Sequence, residues 1–346
     1  MAPAPGTDPR SRLLRLLDGF LVTQLVFVAA ELGVADVLAG GPRTGADVAE
    51  AVGADPAALT RVLRGLASEE VLAEDDAGRF SLTPLGEALR EDRPGSWRGA
   101  ARLRGGIYYR ATGGLLAAVR EGGSAFERAF GASFFDHLAA EPATEAAFNA
   151  GMAARSAREA SDVVAAYDFA DAGTLVDVGG GSGMLLSAIL RAAPGVSGVL
   201  LDRPAAIAAA AERFTADGLD GRARCEAGDF FAAVPAGADT YLLSRVLHDW
   251  GDEDASRILA VCRRAAGPGA RLLVVEALLP ERAVDAPEVI RMDLLMLVLV
   301  GGAERTAAQY RALLAGAGFA VTRVVPTPSP SGVSVIEAVA TTLEAS

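Results

Sequence analysis

Apolar residues recur at helical spacing near the start of the chain, at Leu13, Leu14, Leu16, Leu17 and Phe20, and the stretch from Leu21 to Ala30 continues them. Thr44 then opens Thr-Gly-Ala-Asp-Val-Ala-Glu-Ala-Val, and Asp55-Pro56 opens Ala57 to Ala67 with proline at a first helical position. Glu70 to Thr83 reads as two short strands around an Asp-Asp-Ala-Gly turn. Helix, helix, hairpin is the winged-helix pattern. From residue 101 to 165 the chain reads as mostly helical, interrupted by Gly105-Gly106, Gly113-Gly114 and Gly122-Gly123.

Near Thr174 the periodicity changes. Leu175 to Val178, Gly198 to Asp202, Arg222 to Ala227, Thr240 to Leu243 and Arg271 to Glu276 are predicted strands. Between them fall the predicted helices Met184 to Ala192, Ala205 to Phe214 and Asp254 to Ala266. After a helix from Thr306 to Ala317 come two closely spaced strands, Phe319 to Val325 and Ser334 to Ala340. Continuous apolar strands alternating with helices imply an α/β fold with a mostly parallel sheet covered on both faces, closed by an antiparallel last pair. Three regions are expected: an N-terminal domain over 1–100, a helical connector over 101–165 and an α/β domain over 166–346.

Charge decides what the first region does. The chain of 346 residues carries a net charge of −12, and residues 1–100 hold ten basic against fifteen acidic side chains. An acidic surface repels phosphate backbones, so a nucleic-acid partner is not expected. The unusually apolar stretch from Leu13 to Ala30 favours dimerisation instead. Phe20 to Ala30 is too short to span a bilayer and no secretory signal is recognised, so a cytoplasmic protein without a membrane partner is expected. Cys225 and Cys262 lie in apolar contexts and read as small buried hydrophobes.

The densest chemistry is Val176-Asp177-Val178-Gly179-Gly180-Gly181-Ser182-Gly183, a glycine-rich turn between a strand and a helix. Backbone there can approach a ligand at a helix N-terminus. Asp202 ends the next strand, where a carboxylate can accept both ribose hydroxyls. Met184 stands where a dinucleotide fingerprint needs its third glycine, and Asp177 would oppose a pyrophosphate but tolerate a cationic sulfonium. The ligand expected is therefore S-adenosylmethionine rather than NAD. Gly228-Asp229-Phe230-Phe231 and Ser244-Arg245 end the following strands on the same edge, with a carboxylate and rings suited to adenine.

Of the two histidines, His248 follows the fourth of these strands and can take a proton from a hydroxyl attacking a methyl carbon. His137 lies on a helix before the sheet and reads as structural. Glu276 and Glu304 either flank His248 or lie on the surface. No metal ligand set is expected.

Phe134-Phe135-Asp136, the glycine turn, Leu201-Asp202-Arg203-Pro204, Gly228 to Phe231, Leu247-His248-Asp249-Trp250 and Gly301 to Thr306 together carry a resemblance. From about residue 12 to 340 the chain resembles the metal-independent small-molecule O-methyltransferases of plant caffeate and flavonoid type and bacterial polyketide-tailoring type. The resemblance implies a Rossmann-like methyltransferase domain behind a winged-helix-like dimerisation domain. It implies a homodimer whose partner's first helices help close the pocket, and an aromatic hydroxyl acceptor. It implies His248 as general base flanked by Glu276 and Glu304, and cofactor contacts from Gly179, Gly181, Asp202, Gly228, Asp229, Phe230, Ser244, Arg245 and Ser156. Phe148, Met152, Arg155 and Met296 fall at acceptor-lining positions. Arg155 stands where plant relatives often have histidine, which suggests an anionic acceptor. N- or C-methylation, or non-methylating chemistry at the same cofactor site, is the alternative.

Overall fold

The computed structural model describes residues 8–93, 95–328 and 332–341. The chain separates into two compact units, Met1–Gly113 with Phe135–Gly151, and Gly114–Phe134 with Met152–Ser346.

In the first unit, the helices Pro9–Leu17 and Gly19–Leu32 precede Gly45–Val52 and Pro56–Ser68. Thr44 and Asp47 cap Gly45–Val52 reciprocally, and the Asp55 carboxylate accepts the Ala58 N–H at 2.7 Å, so both predicted starts have a physical cause. Strands β1 (Arg43–Thr44), β2 (Leu72–Glu74) and β3 (Arg79–Leu82) form a small antiparallel sheet. The core gathers Val34, Leu38, Val48, Leu59, Leu63, Leu66 and Phe80. Leu13, Leu14, Leu16, Leu17, Phe20 and Leu21 do not join it and are each at least half exposed. No single helix among the described residues is long and apolar enough to cross a membrane.

The second unit is built on β4 (Thr174–Val178), β5 (Ser197–Asp202), β6 (Ala223–Ala227), β7 (Thr240–Ser244), β8 (Arg271–Ala277), β9 (Phe319–Pro326) and β10 (Val333–Ala340). Their order is β6-β5-β4-β7-β8-β10-β9. The first five run parallel, while β10 pairs antiparallel with β8 and β9. Both faces are buried: Tyr241 and Leu243 join one apolar cluster with Ile258 and Leu259, and Leu242 joins the other with Leu186 and Ile189. Truncating such a leucine to alanine costs about 2–5 kcal/mol. Cys262 is buried as expected, and Cys225 half so.

The strand order reverses beside β4, which has β5 on one side and β7 on the other. In open parallel sheets the ligand crevice lies at such a switch point, outside the carboxyl ends of the strands. The turn after β4 and the loop after β7 meet there, with Val246 against Gly179. One element differs from expectation. Pro287–Leu299 is a helix, and over residues 294–299 its apolar side chains run without a break, so no single face announces it.

Candidate active site

The glycine turn closes tightly on its neighbours. Gly179 donates its N–H to Leu201 O at 2.8 Å, and Gly179, Gly181 and Gly183 have φ of +72°, +56° and +71°, a region that favours glycine. At Gly180 a side chain is excluded for another reason, since a Cβ would fall 2.5 Å from Asp177 Oδ2. The Asp202 carboxylate is fixed by accepting Gly181 N–H at 2.7 Å and Arg203 N–H at 2.6 Å. Gly228 donates its N–H to Asp202 O at 3.0 Å, while Asp229 accepts Phe231 N–H at 2.8 Å and stays exposed. Phe230 lies against Gly179 and packs edge-on to Trp250, ring centres 6.3 Å apart. Asp177 is buried with Oδ1 unpartnered, and burial, with the charge of Asp202, raises its carboxyl to about 7.

Beyond β7, His248 is 6% exposed and carboxylates surround its ring. Its Nδ1 lies 3.0 Å from Glu304 Oε1 and 3.5 Å from Glu276 Oε2, and its Nε2 lies 3.3 Å from Asp249 Oδ1. Glu276, at the end of β8, also accepts the backbone N–H groups of Val246 and His248 through Oε1. Burial opposes a charged imidazole, but the charges of Glu276, Asp249 and Glu304 outweigh it and push His248 up to about 10. Burial raises Glu276; the His248 charge works against this, and Glu304 and Asp249 add to it.

Loops, rather than the strands alone, deliver these groups. Arg305, 2% exposed, donates to Leu247 O at 2.9 Å and Trp250 O at 2.8 Å, tying the His248 loop to the Glu304 segment. Ala303 N–H donates to His248 O at 2.9 Å. Gly302 permits this approach, because a Cβ there would lie 2.1 Å from that carbonyl oxygen. Asp293 accepts the Glu304 N–H at 2.9 Å.

Of the two readings left open for the glutamates, the structure gives the flanking one: both are buried beside His248. Arg245, expected among the cofactor contacts, sends its guanidinium into this cluster, with Nη1 3.3 Å from Glu304 Oε1 and 3.8 Å from Glu276 Oε2. Its φ of +56°, unusual for a side-chain-bearing residue, goes with that excursion. Arg155 Nε donates to Glu159 Oε1 at 2.8 Å, forming an ion pair along the same helix. Met152, Arg155, Ser156 and Glu159 share one face of the helix Pro142–Ala166, and Ser156 and Met152 are half-buried. Met296 is buried on Pro287–Leu299, Ser244 is half-buried at the end of β7, and Phe148 belongs to the first unit.

Asp249 and Glu159 escaped the sequence reading. The first is the immediate neighbour of His248, and the second stands four residues after Arg155, the spacing of a helical ion pair. Ligand atoms of His248, Glu276 and Glu304 lie within 4.8 Å of one another, a spacing an ion could use. The Arg245 guanidinium already brings positive charge to both glutamates, and we assign the cluster as an ion-pair network.

Residues 113–320 match the O-methyltransferase domain family and residues 14–92 the O-methyltransferase dimerisation domain family. The phenazine O-methyltransferase PhzM of Lysobacter antibioticus is 44% identical over 329 residues, 95% of each chain. The 8-amino-8-demethylriboflavin N,N-dimethyltransferase of Streptomyces davaonensis is 37% identical, over 94% of this chain and 96% of that one. The solved mitomycin 7-O-methyltransferase MmcR matches with a TM-score of 0.90 and 40% identity, covering 96% of this chain and 97% of that one. The O-methyltransferase NcsB1 from neocarzinostatin biosynthesis, solved with S-adenosylmethionine and 2-hydroxy-5-methyl naphthoic acid, matches with a TM-score of 0.85 and 40% identity over 94% and 98%. The chain thus belongs to the S-adenosylmethionine-dependent O-methyltransferases, with the family's dimerisation domain ahead of its Rossmann-like catalytic domain.

Proposed function

We propose that this O-methyltransferase methylates a phenolic hydroxyl of an aromatic natural product, with His248 as general base and Glu276 and Glu304 orienting and charging its ring. The observation that carries the reading is the buried imidazole beside the switch point, with carboxylates at both ring nitrogens. The carboxylates stabilise the imidazolium that forms as His248 takes the phenolic proton. With His248 pushed up to about 10, only about one ring in a thousand holds the proton-accepting form at pH 7, so kcat is expected to rise with pH toward 10. An aliphatic alcohol holds its proton too tightly for such a base.

The cofactor supplies a methyl group on a cationic sulfur. The crevice residues fit such a group: Gly179 and Gly181 allow close backbone approach, and Asp202 is held in place beside them. Its remaining lone pairs suit ribose hydroxyls, Asp229 and Phe230 suit adenine, and Ser244 and Ser156 add polar contacts. The buried Asp177 carboxyl, raised to about 7 with Oδ1 unpartnered, can give up its proton and take negative charge when a cation binds. Met152 and Met296 give the acceptor adaptable apolar surface.

Replacing His248 with alanine is expected to leave S-adenosylhomocysteine binding intact and to lower kcat about 10²–10⁴-fold on a phenol. An unchanged rate would remove His248 as the base. Transfer to an amine is a second reading, favoured by the N,N-dimethyltransferase relative. A neutral aromatic amine needs no deprotonation before attack, so methylation of an aniline unaffected by the same variant would support it. We also propose that the exposed leucines of the first helices pair two copies of the chain. A single-chain mass by light scattering would overturn that.

A further inference from the structure

The helix Pro142–Ala166 brings a carboxylate that the mechanism above does not use. Glu159 is 8% exposed, and its two oxygens face different cations. Oε1 accepts Arg155 Nε at 2.8 Å, and Oε2 lies 3.7 Å from Arg245 Nε. Arg245 in turn reaches Glu304 Oε1 at 3.3 Å, the same oxygen that meets His248 Nδ1 at 3.0 Å. The alternating row Arg155, Glu159, Arg245, Glu304, His248 ends on the base. Arg245 Nε and Nη2 are buried without a hydrogen-bond acceptor, so the guanidinium is held by its Nη1 hydrogen bond to Glu304 on one side and by ion pairing with Glu159 on the other.

We propose that Glu159 is a positioning residue that holds the Arg245 guanidinium between itself and Glu304, and so fixes how much of the Glu304 charge is left for His248. The proposal rests on the reading of His248 as the base. Without the Glu159 charge, Arg245 closes on Glu304, and that carboxylate attracts the imidazole less. Without Arg155, the whole Glu159 charge turns on Arg245 and draws it away, and Glu304 attracts the imidazole more. Other charges act on the same ring: Glu276 from β8 and Asp249 from its own loop, the latter also facing Arg155. Asp293, Arg305 and Tyr310 surround Glu304 and Glu276 at one remove. Of these only Arg155 is affected when Glu159 is altered, because the two are paired and Arg155 also faces Asp249. The two variants are predicted to act with opposite sign, and they are therefore read on an Asp249→Asn background as well, where the opposite signs should persist.

The chain's two histidines make the test direct. The imidazole carbons of the full-length protein are followed by NMR from pH 6 to 11, with His137→Asn identifying the His248 signal. Glu159→Gln should lower the His248 midpoint by about one pH unit, a tenfold change in proton affinity, and Arg155→Met should raise it. Glu159→Asp, which keeps the charge, should restore most of the difference in a folded protein whatever Glu159→Gln does to stability. Midpoints that do not move, or that move the same way in both variants, overturn the proposal. Because the titration reads His248 without turnover, an active His248→Ala enzyme would discard the base and leave this result standing.

Discussion

The two halves of the crevice are built differently. On the β4 edge, the backbone does most of the work: three glycines turn the chain left-handed and Asp202 is fixed by two N–H groups from its own neighbourhood. On the β7 and β8 edge, side chains converge from distant places, His248 with Glu276, Glu304, Arg245 and Glu159. A backbone site tolerates little change in covalent geometry but depends on few charges. A converged charge cluster is the reverse: each member shifts the proton affinity of the rest. The first half suits binding, and the second suits moving a proton.

The largest expected effects separate these roles. His248→Ala should reduce kcat with little change in cofactor affinity, as above. Asp202→Asn should do the opposite, weakening S-adenosylhomocysteine about ten- to a hundredfold by removing a charged acceptor, with a smaller change in kcat at saturating cofactor. Calorimetry and steady-state kinetics on both variants check the comparison. If both parameters fell together in either variant, the division between the halves would be wrong.

Next in size is a substitution that moves backbone. In Gly302→Ala the added Cβ meets His248 O at 2.1 Å, and a backbone atom cannot step aside. About 1–3 kcal/mol of stability should be lost, with a fall in kcat as the His248 and Glu304 segments separate. Gly181→Ala meets nothing within 4 Å but must hold φ near +56°, at about 1–2 kcal/mol, and its cost should appear in cofactor affinity. Thermal unfolding with and without S-adenosylhomocysteine distinguishes them. Equal effects of both variants on kcat would count against the contrast.

The same contrast explains what could be read in the sequence. The glycine turn is a contiguous signal, and Asp202 and Gly228 fall at the ends of strands that the apolar pattern marks. Glu276 and Glu304 were visible as candidates, but spacing alone left their burial open. What decides it is the Arg305 tie and the close pass of Gly302, which exist only once the chain is folded. The fate of a long charged side chain is harder still. Arg245 and Arg155 stand where the pattern suggested ligand contacts, and each meets a carboxylate there, Glu304 from 59 residues away and Glu159 from a single helical turn. The helix Pro287–Leu299 was hidden because residues 294–299 are apolar without a break and show no period.

A last contrast concerns stability against pH, and here the halves separate along the pH axis. Burial raises Asp177 from its ordinary 3.8 to about 7, so the folded chain holds a proton there that the unfolded chain has lost. That group's contribution is fully present below about 4 and is lost as pH rises through 7. His248 is raised from 6.5 to about 10, so its contribution is fully present below about 6.5 and is lost as pH rises through 10. Both slopes point the same way, toward lower stability at higher pH, and each approaches about 1.4 kcal/mol per pH unit at most. They occupy different windows. Asp177→Asn should flatten the dependence between about pH 4 and 7 and leave the upper limb alone, while His248→Asn should flatten it from about 6.5 to 10. Glu276, raised from 4.5 to about 8, belongs to the His248 half but titrates across both windows, so part of the slope from about pH 4.5 to 8 should survive either variant. Denaturant melts of the ligand-free protein at half-unit pH steps resolve the limbs by difference. Should the Asp177 variant alter the alkaline limb as strongly as the acid one, the two halves would be electrostatically one site, and a cationic ligand bound at the turn would then shift the proton held at His248.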